Sequence, residues 1–173
     1  MKNLKTLLVG AGMFVASTGL ATAASVTGNL NVALTLSTFC SMNATGSAPL
    51  ALTFPTAANL TQPVSSTAAT FLNVTCSAGT VYTIKLGDGL NRITNGDRQL
   101  AREGGAGTES KIPYKLSRQA NGVEEWVPGT AFSPTSPGSG AAQSFQIWGV
   151  IPATTATLIP GTYKDTVVIT VDY

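Results

Sequence analysis

The chain has no histidine in 173 residues, only two cysteines, and Asp, Glu, Lys and Arg make up just 10% of it. Without imidazole there is no Ser-His-Asp or Cys-His nucleophile and no imidazole-bound metal. Two thiols with no third soft ligand fall short of a structural zinc site, which takes four nitrogen or sulfur ligands. The eight acidic residues are scattered, and their one adjacent pair, Glu124-Glu125, would point to opposite faces of a strand. The sequence thus supplies no cofactor site, no metal site and no catalytic constellation, and the chain reads as a non-enzyme.

Long apolar runs are also missing. The stretch 7–15 falls well short of the roughly 18 consecutive apolar residues that a membrane-spanning helix needs. Lys2 and Lys5 precede it and Ala21-Thr22-Ala23 follows it, so residues 1–23 read as a secretory signal peptide. Cleavage there would remove 23 of 173 residues and leave 150, one domain in size. It would also remove two of ten basic side chains, leaving eight against eight acidic ones. A balanced surface of this kind offers no electrostatic case for nucleic acid. In an oxidising compartment, Cys40 and Cys76 are expected to form one disulfide, worth roughly 3–4 kcal/mol for a loop of this size on the chain-entropy account.

What the sequence has in abundance is alternation. In 25–37, Val26, Gly28, Leu30, Val32, Leu34 and Leu36 take every even position, and small or polar residues take every odd one. That is the period of a β-strand with one buried face. Further short runs at 50–54, 70–76, 80–86, 112–118, 124–127, 144–151 and 163–173 read as strands. Turn chemistry separates them at Gly87-Asp88-Gly89, Asn95-Gly96-Asp97, Asn121-Gly122 and Pro160-Gly161. The Gly-, Ser-, Thr- and Pro-rich stretches 101–110 and 128–142 read as exposed loops. No helical period and no dividing linker interrupt this pattern, so an all-β immunoglobulin-like sandwich is the expected fold. The last run repeats the motif of the first: Tyr163, Val167, Ile169, Val171 and Tyr173 share one face, and the sequence stops on that strand.

Three chemical motifs are weaker than they look. Arg102-Glu103-Gly104-Gly105-Ala106-Gly107 lacks the Gly-Lys-Ser/Thr ending of a phosphate loop. Asp88, Asn91, Asn95 and Asp97 miss the spacing of an EF-hand and suit turns instead. Trp126 and Trp148 could stack on sugars, which makes a secreted carbohydrate-binding module the alternative function, but both sit in strand-like runs where core packing is the better account.

The ends of the chain carry a family resemblance. Pro160-Gly161-Thr162-Tyr163-Lys164-Asp165-Thr166-Val167-Val168-Ile169-Thr170-Val171-Asp172-Tyr173, preceded by Gln146-Ile147-Trp148-Gly149-Val150-Ile151-Pro152, resembles the spore coat protein U domain of archaic chaperone–usher pilus subunits. Asn73-Val74-Thr75-Cys76 leading to Tyr82-Thr83-Ile84, Pro113-Tyr114-Lys115-Leu116 before Trp126, and the alternating segment that ends at Cys40 resemble it too. The likeness runs over essentially all of the chain after the leader, while 87–110 and 128–142 match in character alone.

The resemblance implies an incomplete immunoglobulin-like β-sandwich at 38–173, with an acceptor groove beside Tyr163, Val167, Ile169, Val171 and Tyr173. It implies that 24–37 is a donor strand for the groove of a neighbouring subunit, seating Val26, Gly28, Leu30, Val32, Leu34 and Leu36. The implied partners are copies of the same chain, a periplasmic chaperone and an outer-membrane usher, with export through the periplasm to a surface pilus and no nucleic acid or small-molecule substrate. Alternation by itself leaves a second possibility open, that 25–37 is the domain's own first strand.

Overall fold

A computed structural model describes residues 23–43, 49–92, 97–105 and 111–173. Among them are ten strands: β1 (Cys40–Met42), β2 (Val64–Ser65), β3 (Thr70–Cys76), β4 (Thr83–Leu86), β5 (Arg98–Arg102), β6 (Ile112–Ser117), β7 (Ala131–Phe132), β8 (Ala142–Ile151), β9 (Tyr163–Lys164) and β10 (Ile169–Asp172). The helical content of the described residues is one 3-10 turn, Ala120–Gly122. The expected all-β class is the observed one, and no helix among the described residues is long and apolar enough to cross a membrane.

The strands form two antiparallel sheets. The first runs β1-β3-β8-β6-β5-β9, with β2 paired to the end of β8, and the second runs β10-β4-β7. Residue alternation decides which side of each strand faces inward. In β3, Leu72, Val74 and Cys76 are buried while Phe71 and Asn73 are exposed. Ile112, Tyr114 and Leu116 of β6 and Ile147 and Ile151 of β8 extend that inner face, and Ile84 and Leu86 of β4 meet it from the second sheet. Each such side chain contributes roughly 1.5–3 kcal/mol of transfer free energy when fully buried. Trp126, Phe132 and Phe145 close one end through edge-to-face contacts, with ring centroids 5.4 and 6.0 Å apart.

Two covalent or polar ties lock the packing. Cys40 and Cys76 are disulfide-bonded and are register partners across β1 and β3, as the expectation of a single bridge had it. Arg98, on β5, is buried, and its guanidinium donates to the carbonyls of Gly87, Trp126 and Leu86 at 2.8, 2.8 and 2.9 Å. Burial lowers its pKa, and the three carbonyls satisfy a charge that would otherwise be costly to desolvate.

Several sequence expectations shift. The run at 70–76 is β3 as read, 80–86 shortens to β4, 112–118 loses one residue to β6, and 144–151 lengthens to β8. The run at 50–54 forms no ladder, although its side chains alternate in burial. In 124–127 one bridge survives, Glu125 to Ser117, because Glu124 adopts a positive φ of 57° and breaks the extension. The 163–173 run divides into β9 and β10. β5 was not foreseen: its end, Ala101 and Arg102, falls where a loop was expected, and β7 lies inside the expected loop 128–142. Leader residues 1–22, Asn95-Gly96 and 106–110 lie outside the described residues.

Residues 23–35 form a unit separate from the domain of 36–173. They carry no helix and no strand, and their side chains are exposed.

Candidate functional groove

Among the described residues, no strand covers one face of the core. A groove of about 1430 Å³ opens there, between segment 49–60 on one side and the C-terminal run on the other. Its floor is apolar, built from inward residues of both sheets that include Leu72, Leu86, Ile112, Leu116, Ile147 and Ile151.

The first wall is the segment at 50–54. Leu50, Leu52 and Phe54 turn inward while Ala51 and Thr53 are exposed. Backbone carbonyls tether it, since Thr53 O accepts from Thr67 N at 2.9 Å and Ala51 O accepts from Thr70 Oγ1 at 2.7 Å. It lies down on β8 because position 149 is glycine: a Cβ there would stand 2.7 Å from both Leu52 Cδ2 and Phe54 Cζ.

The second wall is the C-terminal run. Tyr163, Asp165, Val167, Ile169 and Val171 are half-buried, and each intervening residue is exposed. The run starts on the first sheet, where Tyr163 and Lys164 pair with Arg102 and Ala101, and ends on the second, where Ile169 and Val171 pair with Leu86 and Ile84. Asp165 sits at the crossing. Its Oδ1 accepts from Leu90 N at 2.9 Å, Asn91 N at 3.2 Å and Asn91 Nδ2 at 3.1 Å, and its Oδ2 accepts from Tyr114 OH at 2.7 Å. Burial first, and the bond to Asp165 second, push the Tyr114 phenol well above its ordinary pKa.

β10 pairs with β4 along one edge and ends its sheet on the other, so among the described residues no strand takes its second edge. An unpaired strand edge beside an apolar trough can accept an extended segment, through its free N–H and C=O groups and through pockets for alternate side chains.

Of the five C-terminal residues singled out in the sequence, Tyr163, Val167 and Ile169 line the groove. Val171 packs against the core from β10, and Tyr173 is exposed at the end of the run. Among the N-terminal residues, Val26 is 98% exposed and Leu30, Val32, Leu34 and Leu36 are 83–87% exposed, while Gly28 has open space where a side chain would project. Sequence reasoning missed Leu52, Phe54 and Asp165 as wall residues. Alternation placed Leu52 and Phe54 in a strand, but nothing local said that the strand would border a gap. Of the two tryptophans, Trp126 is buried, and Trp148 is half-buried with its Nε1 donating to Gln146 Oε1 at 2.9 Å.

Comparison with known proteins places this geometry in context. No curated protein matches the chain. Among solved structures, it is similar to a chain of the CsuC-CsuE chaperone-tip adhesion subunit pre-assembly complex from the archaic chaperone-usher Csu pili of Acinetobacter baumannii, with a TM-score of 0.52 and 20% identity. That alignment covers 80% of this chain but 40% of the other, so the likeness is one of fold. The family model of the Spore Coat Protein U domain matches residues 26–170, spanning both groove walls and the alternating N-terminal segment, and the chain belongs to that family.

Proposed function

We propose that the chain is a structural subunit of an archaic chaperone–usher surface pilus. In this reading it polymerises head to tail by donor-strand exchange and builds fibres for adhesion and biofilm formation. Segment 24–37 of one subunit lies in the groove of the next, with Val26, Gly28, Leu30, Val32, Leu34 and Leu36 turned toward the floor. A periplasmic chaperone fills the groove before assembly, and an outer-membrane usher exchanges it for the neighbour's strand.

The observation that carries this reading is the open groove beside the edge of β10 that no strand takes among the described residues, in a chain that also bears an exposed segment of matching alternation. A linear fibre needs a heterologous contact, in which one surface gives and a different surface receives. The two features supply one of each. The span from Val26 to Leu36 covers ten steps of about 3.3 Å, roughly 33 Å, enough to run along a whole domain. The carbohydrate-binding alternative loses one of its two platforms to the core, since Trp126 is buried.

The test is a cross-link. With cysteines at Leu30→Cys and Val167→Cys, oxidation is expected to join different subunits and give a ladder on a non-reducing gel. A bond formed only within one chain would assign 25–37 to its own groove and end the polymer reading.

A further inference from the structure

We propose that the Cys40–Cys76 disulfide is a load bypass, carrying tension from the N-terminal segment straight into β3 and sparing the groove wall between the two cysteines. The inference rests on the proposed fibre for the origin of the tension.

The positions of four features carry it. The last apolar residue of the alternating segment, Leu36, lies four residues before Cys40, so a pull on the segment reaches β1 through Phe39 and Cys40. At that point the chain is bonded to Ser77 through Phe39 N to Ser77 Oγ at 3.1 Å and Ser77 N to Phe39 O at 2.8 Å. β1 is only three residues long and, among the described residues, lies at the edge of its sheet and pairs with β3 alone. From there to Thr70 the described residues hold one further strand, the two-residue β2, and segment 49–60 is the first wall of the groove.

With the sulfurs unjoined, a pull at Cys40 would meet a three-pair ladder and then, among the described residues up to 69, only the two-pair β2–β8 ladder and hydrogen bonds outside any ladder. Peeling would strip the wall first. With the sulfurs joined, the same pull arrives at Cys76, the last residue of a seven-residue strand that lies inside the sheet and holds six register pairs with β8. The bridge sits under a loop that clasps it: Gly140 N donates to Cys76 O at 2.9 Å, and Gly79 N donates to Gly138 O at 2.8 Å. A groove that must hold a neighbour's strand while its own strand is being pulled needs such a detour, because both loads otherwise meet in 41–69.

A single-molecule experiment on residues 24–173 tests it, with one handle ahead of Val26 and the other after Tyr173. Folded, oxidised molecules are held at low tension and reductant is then admitted, so no variant has to fold without its bridge. The expected result is an early, separate lengthening of up to about 100 Å in the reduced molecule, from the 29 residues 41–69 at roughly 3.3–3.6 Å each. The oxidised molecule should show none before its main unfolding. A reduced molecule that opens in one event, differing from the oxidised one only in total length, overturns the bypass.

A labelled peptide of the sequence 25–37 adds a second readout. Peptide leaving at the early step supports the guarding of the groove, and peptide retained through that step overturns it. Peptide that never binds at zero load sinks the donor-strand reading instead, and the lengthening still decides the bypass.

Discussion

The Tyr114 hydroxyl donates to Asp165 Oδ2 at 2.7 Å, tying β6 to the C-terminal run where that run passes from one sheet to the other. With the Leu90 and Asn91 amides on its other oxygen, the carboxylate pins the crossing from two sides. The groove wall is shaped by this knot, because Tyr163 and Val167 flank it and face the trough.

Alkaline stability should report the Tyr114 bond. Burial and Asp165 raise the folded-state pKa of this phenol, and burial raises that of Tyr82. Each contribution is fully present below the unfolded value near 10 and is lost as pH climbs from there toward the folded value, at up to about 1.4 kcal/mol per pH unit per group. Tyr114→Phe should lower stability below pH 10 by roughly 1.5–3 kcal/mol, the range for a hydrogen bond to a charged acceptor. It should also flatten the decline above pH 10. Denaturant titrations across the alkaline range check both, and an unchanged slope would remove Tyr114 as its source.

Gly149→Val should lift the first wall. The added Cβ meets the tips of the Leu52 and Phe54 side chains at 2.7 Å, so these must swing aside, out of the places they fill in the wall, or carry the 50–54 segment with them. Overpacking of this kind costs about 1–3 kcal/mol. Binding of the 25–37 peptide should weaken beyond what the lost stability explains, and calorimetry of the two proteins side by side would show it.

Arg98→Met should be costly despite the similar apolar length of its stem. The carbonyls of Gly87 and Trp126 lose their guanidinium donors, at roughly 1–3 kcal/mol for each acceptor left orphaned, while Leu86 O keeps the Gly129 N–H at 2.9 Å. Urea unfolding should therefore show a loss above about 2 kcal/mol. A loss under 1 kcal/mol would mean the guanidinium is not what joins β5 to the second sheet.

Leu34→Asp should separate folding from assembly. The side chain is 83% exposed, so the isolated subunit should keep its disulfide and its stability to within about 0.5 kcal/mol. Its SDS-resistant ladder of multimers should vanish. Ladders that persist would place the polymer contact outside 25–37.

The sequence reveals the strands whose inner faces are apolar and conceals those held by polar contacts. β3 is legible at both ends because Leu72, Val74 and Cys76 alternate with outward residues. β5 is not, because its fully buried position is Arg98, a residue type expected at the surface, and the carbonyls that satisfy it come from β4, the turn after it and Trp126. β7 pairs over two residues inside a Gly- and Pro-rich stretch, too short to leave a period. Segment 50–54 has the period of a strand without the ladder, since a ladder is a property of a neighbour and alternation is a property of the chain itself. The inward row of the C-terminal run shows in the sequence, whereas only tertiary packing brings Leu52 and Phe54 to the rim opposite it.

Asp165 also graduates the wall it anchors. Between Tyr163 and Val167 the inward row offers oxygen where its neighbours offer carbon. An extended segment lying along that wall can slip only in steps of two residues while keeping the same side inward. The wall thus carries a single polar notch in an otherwise carbon-faced row.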